Sequence, residues 1–176
     1  MLQISVTDTG VHDTVARLIR RFDNPQPALR AIGELLVEFT KERFARSQDP
    51  YGRAWAPNAE TTLRRALDRH PKNRTKSGDL YARGQRVLAG KKPLIGESKS
   101  LSTQIHYRVV PGAVEVRSSM VYAALHQFGA SKAKFPHLWG DIPARPFFPD
   151  AGRGLPLELS ERVRQVLSDA LAGPAA

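Results

Sequence analysis

LSTQIHYRVVPGAVEV, residues 101–116, is the stretch whose reading decides the fold class. Leu101, Thr103, Ile105, Tyr107 and Val109 alternate with Gln104, His106 and Arg108, the period of two expected of a strand covered on one face. Pro111-Gly112 turns the chain and Val114 and Val116 resume the alternation, so the stretch predicts a hairpin. Far upstream, Leu2, Ile4 and Val6 keep the same period and predict a further strand over residues 2–7.

Around these strands the period is helical. Asp8 or Thr9 can cap a helix through Val11, Val15, Leu18, Ile19 and Phe22, ended by Asn24-Pro25-Gln26-Pro27. Pro27 fits the first turn of a longer helix running to about Arg46, with Leu29, Ile32, Leu36, Phe39 and the stem of Arg43 recurring every three or four residues. Residues 121–127 suit a short helix stopped at Gly129, and the prolines at 136, 143, 146 and 149 make residues 130–155 a loop. Pro156 opens a last helix carrying Leu159, Val163, Val166, Leu167 and Leu171, with Glu158 and Glu161 near its amino end and Gly173-Pro174 as its stop. The expectation is a single α+β domain over residues 1–172, followed by a disordered tail at 173–176. In it a small, mainly antiparallel sheet is packed by the 27–46 helix and the carboxy-terminal helix.

The composition is that of a globular protein, 41% apolar against 25% charged over 176 residues, which is enough chain for one domain with a core. Cysteine is absent, which removes disulfides, thiolate nucleophiles and cysteine-ligated zinc. The first residues have neither the basic start nor the apolar run of a signal peptide, and no stretch approaches the roughly 18 apolar residues of a membrane span. A soluble protein without a membrane partner is expected.

The net charge of +10 is concentrated between Lys41 and Lys92, where 14 Lys and Arg face five acidic residues. Within that tract Pro50-Tyr51-Gly52 is a turn signal, Trp55-Ala56-Pro57 is extended, and Asn58 can cap a polar helix over residues 59–69. The segment 70–78 is loop-like and basic, and a short helix over 79–89 follows. Few apolar residues recur there at a core-forming spacing, so residues 58–92 are expected to be a basic helical and loop excursion on the surface. Arg64, Arg65, Arg69, Lys72, Arg74, Lys76, Lys91 and Lys92 are its candidate contacts for a polyanion or an acidic partner. Three readings stay open: a solvated face with a mobile loop, nucleic-acid phosphates bound without base contacts, and an acidic protein surface steered by charge.

Catalytic patterns are missing. The five histidines are scattered, with no His-Glu-x-x-His, no helical pair four apart and no Gly-x-Ser-x-Gly elbow. Gly90-Lys91-Lys92 fails as a phosphate loop, because Gly84 is one residue too far upstream and Lys92 occupies the magnesium-binding Ser/Thr position. The dispersed carboxylates form no acid/base pair. His126 reads either as a bonded, partly buried side chain or as a metal ligand or proton switch, and no second ligand stands at a recognisable spacing. The expectation is a non-enzyme with no cofactor, metal or catalytic residues.

Four segments carry a resemblance: Pro50-Tyr51-Gly52-Arg53-Ala54-Trp55, the Pro93–Leu101 stretch, Tyr122-Ala123-Ala124-Leu125-His126-Gln127-Phe128-Gly129, and Ile142-Pro143-Ala144-Arg145-Pro146-Phe147. In that order, over about residues 28–170, they resemble the phage virion morphogenesis (tail-completion) family of Mu-like tailed phages. Lys99 stands where the family pattern has a glycine or another small residue. The resemblance implies a structural part in tail completion or head-tail (neck) joining, as a subunit of an oligomeric ring, expected to be hexameric, around the DNA path. Its partners would be other phage neck, tail or head proteins, with DNA added by the charge of this chain. Its place would be the host cytoplasm during assembly and then the virion. The alternative is a basic nucleic-acid-binding protein using residues 41–92.

The candidate partner or subunit interface comprises Trp55, Tyr122, His126, Phe128, Arg145, Phe147 and Phe148. Prolines 143, 146 and 149 make a stiff arm that either exposes Phe147 and Phe148 or packs them inward on Val163 and Leu167. Arg145 between them is suited to a bidentate carboxylate pair.

Overall fold

A computed structural model describes residues 24–138, 140–150 and 152–172. The predicted strand at 2–7 and helix at 11–22 lie outside these residues, as do Gly173-Pro174 and the tail. The protein is α+β, with six α-helices and a two-stranded antiparallel hairpin among the described residues. It divides into two compact units. Among the described residues, one unit takes the chain up to Val37, then Tyr107–Val116 and the residues from Leu157. The other takes Glu38–His106 and Arg117–Pro156.

Helix α1 spans Gln26–Arg46. Pro27 lies in its first turn, the Asn24 side chain accepts from Gln26 N (3.3 Å), and Arg43 and Arg46 in the last turn complement the helix dipole. Ser47, with φ of 54°, ends it in the left-handed region, and Gln48 N reaches back to Arg43 O (3.1 Å) in the manner of a Schellman stop.

Strands β1 (Ile105–Val110) and β2 (Ala113–Ser118), whose Tyr107–Val116 portion belongs to the first unit, are joined by Pro111-Gly112, with Gly112 at φ +71°. Arg108 and Glu115 pair across the strands at 2.7 Å. Gly33 of α1 lies directly on the Tyr107 ring, where a Cβ would overlap the aromatic carbons. Helix α6 (Leu157–Ala172) follows Pro156, with Glu158 in its first turn and bonded toward Arg162. Leu159 is buried and Val163 and Val166 are half-buried, whereas Leu167 is exposed.

One expectation is corrected here. The strand does not begin at Leu101, because Ser100–Thr103 form a single helical turn, α4. The hydroxyls of Ser102 and Thr103 both donate to Lys99 O (2.8 and 3.2 Å), a local bond that competes with a strand ladder. Lys99 itself has φ of 52° and ψ of 18°. The residue that departs from the family's small-residue pattern thus occupies a conformation that favours glycine.

In the second unit the basic stretch builds α2 (Glu60–Asp68), a short 3₁₀ turn at Pro71–Asn73 and α3 (Ala82–Gly90), which pack on one another. Ala66, Leu67 and Asn73 are buried. Asn73 Nδ2 donates to Leu67 O (2.9 Å) and Asn73 O accepts from Tyr81 N (3.2 Å), tying the turn to both helices. Gly84 allows the close approach, since a Cβ there would meet the Asn73 carbonyl group. The 70–78 segment is a tied turn and not an unstructured loop. Arg74 and Leu80 bridge, Thr75 N donates to Asp79 O (2.8 Å), and Asp79 N donates to Thr75 Oγ1 (3.0 Å).

Candidate functional site

Three of the four sequence motifs meet in the second unit, although about 90 residues separate the first from the last. In the Pro50–Trp55 element, Asp49 Oδ1 accepts from Tyr51 N (2.8 Å) and Arg53 N (2.9 Å), and Gly52 turns at φ +84°. The turn delivers Trp55 inward, where its ring meets Phe44 edge-on at 5.3 Å and its indole N–H donates to Pro146 O at 2.8 Å. The Tyr51 hydroxyl bridges Gly154 O (2.8 Å) and Asp150 N (3.0 Å) under the Arg153 guanidinium, 3.6 Å from the ring centroid.

The arm from Ile142 to Pro149 has three prolines, so only its other residues can donate from the backbone. Nearly all of those donors end on the 122–130 segment. Ala130 and Ile142 exchange two bonds (2.9 and 2.7 Å), and Arg145 N donates to His126 O (2.7 Å). Gln127 Oε1 accepts from Phe147 N (3.0 Å) and Phe148 N (3.1 Å), while its Nε2 donates to Phe148 O (3.0 Å). Helix α5 (Ala123–Phe128) is thereby fastened along one side to the arm. Gly129 follows it at φ 74°, ψ 170°, a region open essentially to glycine, and a Cβ there would lie 2.9 Å from Ala144 N.

Arg145 does not form the expected carboxylate pair. Its Nε donates to Ala56 O (2.8 Å) and a terminal nitrogen to Pro57 O (2.7 Å), because the chain after Trp55 presents two carbonyls where the fork points. Arg145 is 7% exposed and acts as a strut between motifs. Trp55 (6%) and Phe147 (0%) are likewise core residues, Phe147 packing 5.2 Å from the Phe44 ring and 4.8 Å from Phe148. Burial in their own chain takes Trp55, Arg145 and Phe147 out of the proposed contact surface. Phe148 is half-buried. Phe128 (79% exposed) and Tyr122 (38%) remain on the surface.

His126 lies half-buried beside Tyr122 in an edge contact (6.0 Å), its Nδ1 enclosed without a hydrogen-bond partner. Burial and then the charge of Arg145 hold its pKa below the ordinary histidine value. The neutral ring therefore prevails at neutral pH. It lines a groove of about 480 Å³ together with Asn58, Lys91, Lys92, Tyr122 and Arg145. Leu94, Ile95 and Ile142 add apolar lining, and Asp141 adds a carboxylate. The fourth motif enters here, since Lys91 Nζ donates to Ile95 O (2.8 Å) and Asn58 Nδ2 to Lys91 O (2.9 Å). Among the described residues no cluster of His, Asp or Glu could hold a metal ion, and no helix is long and apolar enough to cross a membrane.

The basic candidates separate into two kinds. Lys91 and Lys92 are structural ties, Lys92 Nζ donating to Ala45 O (2.6 Å), and Arg69 pairs with Glu97. Arg74 is half-buried. Arg64, Arg65, Lys72 and Lys76 are exposed, and Arg64 makes only a loose 3.9 Å contact with Asp68.

Gln127 is the residue that sequence reasoning passed over. Its signal was available: a proline-rich arm has few donors, and an amide is the side chain that can both accept from and donate to an adjoining backbone.

No curated protein and no solved structure matches the chain. The phage virion morphogenesis family matches it over residues 6–172, nearly its whole length. That span takes in every motif of the junction, and the chain belongs to the phage virion morphogenesis family.

Proposed function

We propose that this virion-assembly protein completes the tail or joins it to the head, as one protomer of a ring around the DNA path. Membership of the family supports a structural role in virion morphogenesis. The observation that carries the finer reading is the outward side of α5. Val121 (96% exposed) precedes the helix, and Ala124 and Phe128 follow four residues apart, forming an uncovered apolar stripe. The same helix is fastened beside the stripe by the Gln127 side chain and by His126 O to the proline arm, so the stripe is held stiffly and meets a neighbour at little entropic cost. A contact of this stripe with a different patch on the next copy is heterologous, and it closes into a ring where the rotation permits. Six copies would match the symmetry of a tail. In this reading the protein assembles in the host cytoplasm and stays in the virion.

The test is the mass of purified protein across concentration, alone and with tails from a mutant phage lacking it. Wild type is expected to form a closed oligomer, alone or on the tail, and Phe128→Glu to remain monomeric with an unchanged circular dichroism spectrum. A wild-type protein that is monomeric at every concentration and adds to no tail or head refutes the reading.

A further inference from the structure

The α2, Pro71–Asn73 and α3 segment presents a cluster of exposed positive charge. Arg64, Arg65, Lys72, Lys76, Arg83 and Arg86 are all exposed. Apart from the loose Arg64 contact with Asp68, none of them forms an ion pair among the described residues. The acidic residues nearby are few: Glu60, Asp68 and Asp79, the last accepting from Ser77 Oγ at 2.9 Å.

The frame that carries these cations is fixed. Leu67 and Ala66 are buried, Asn73 staples the turn to both helices, and the Thr75–Asp79 bonds close the turn that holds Lys76. On α3, Arg83 and Arg86 are three residues apart and flank the buried Gly84, so they share the outer side.

We infer that this unit is a sequence-independent contact for the phosphate backbone of double-helical DNA. Two features favour phosphate over an acidic protein surface. Protein interfaces have an apolar core with aromatic anchors, and the outer face here offers only Tyr81, half exposed at the start of α3. A single-strand platform would need several stacking rings, which are equally missing. Arg and Lys on a rigid frame, with nothing to read base edges, suit phosphate contacts alone. The inference does not depend on ring formation or on the α5 stripe.

The experiment is fluorescence anisotropy of a labelled random-sequence DNA duplex with the full-length protein across salt concentration. With about four phosphates neutralised, the affinity falls about 150-fold between 50 and 200 mM salt, a log–log slope of about −3.6. The triple variant Arg65→Gln, Arg83→Gln, Arg86→Gln lowers the steepness by roughly one per charge removed, whereas a charge-matched control, Arg117→Gln, Lys132→Gln, Arg164→Gln, leaves it near wild type. Both sets are exposed, and matched melting curves establish that each variant is folded. Absence of DNA binding at 50 mM salt, or equal loss in both triples, overturns the inference. Tighter binding to polyglutamate than to DNA of equal charge also overturns it, and assigns the face to an acidic protein.

Discussion

Replacing Gln127 by Leu keeps the volume of the side chain and removes its three bonds to the proline arm, those to Phe147 N, Phe148 N and Phe148 O. All three are partly buried, so the backbone groups left behind regain little hydration. At about 1 kcal/mol per bond, and more for a donor left unsatisfied, the change costs about 2–4 kcal/mol. In a protein of this size each kcal/mol moves the melting temperature by about 2–4 °C, so a fall of roughly 5–15 °C is expected. Gln127→Glu retains the acceptor for both N–H groups but loses the donor and sets a carboxylate against Phe148 O, and it should fall between wild type and the Leu variant. Urea unfolding followed by tryptophan fluorescence reads the effect, because Trp55 donates to the arm at Pro146. The midpoint should drop while the slope with denaturant stays constant. A Leu variant within about 0.5 kcal/mol of wild type, the scatter of ordinary surface substitutions, would show that the arm is held by ring packing alone.

Gly129→Ala should be more damaging than a typical glycine substitution, by about 3 kcal/mol or more in urea unfolding, since the backbone is in a glycine-only region and the new Cβ meets Ala144 N. Lys99→Gly should raise stability by roughly 0.5–1 kcal/mol in the same assay, the left-handed strain relieved exceeding the added freedom of the unfolded chain. His126 has a folded pKa below its unfolded value, so the unfolded chain takes up its proton first. Stability should be full above about pH 6.5 and fall as pH drops from there toward the lower folded value. Unfolding midpoints at a series of pH values should show this fall in wild type and a shallower one in His126→Gln.

The burial of Arg145 changes what its motif means. Between two aromatic residues in a proline-rich arm, an arginine reads as a contact for a partner's carboxylate. Here the guanidinium fork is filled by Ala56 O and Pro57 O, and the motif encodes an internal lock. Phe147 and Trp55 follow the same logic, their rings closing on Phe44. Most of what makes the family pattern recognisable is therefore the fastening of one segment to another. The exposed residues differ in place: Phe128 stands on α5 within a motif, whereas the arginines of α2 and α3 lie between motifs.

The sequence by itself determined the elements that local chemistry dictates. The helix from Gln26 to Arg46 follows from Pro27 and a three-to-four residue apolar spacing. The hairpin follows from strict alternation around Pro111-Gly112, and the final helix from Pro156 with Glu158 behind it. Each signal is complete within a few residues, so no distant partner is needed to read it. Where local signals conflicted, at Ser100–Thr103, alternation suggested a strand and the hydroxyls bonding back to Lys99 O made a helical turn. Only the tertiary structure decided that Trp55, Gln127 and Arg145 belong to one junction. Their partners lie 91, 21 and 89 residues away along the chain, and such bonds depend on where packing brings two backbones together. It also decided which cations are spent on carbonyls and which face outward, because charge is written in the sequence but exposure is a property of the folded surface.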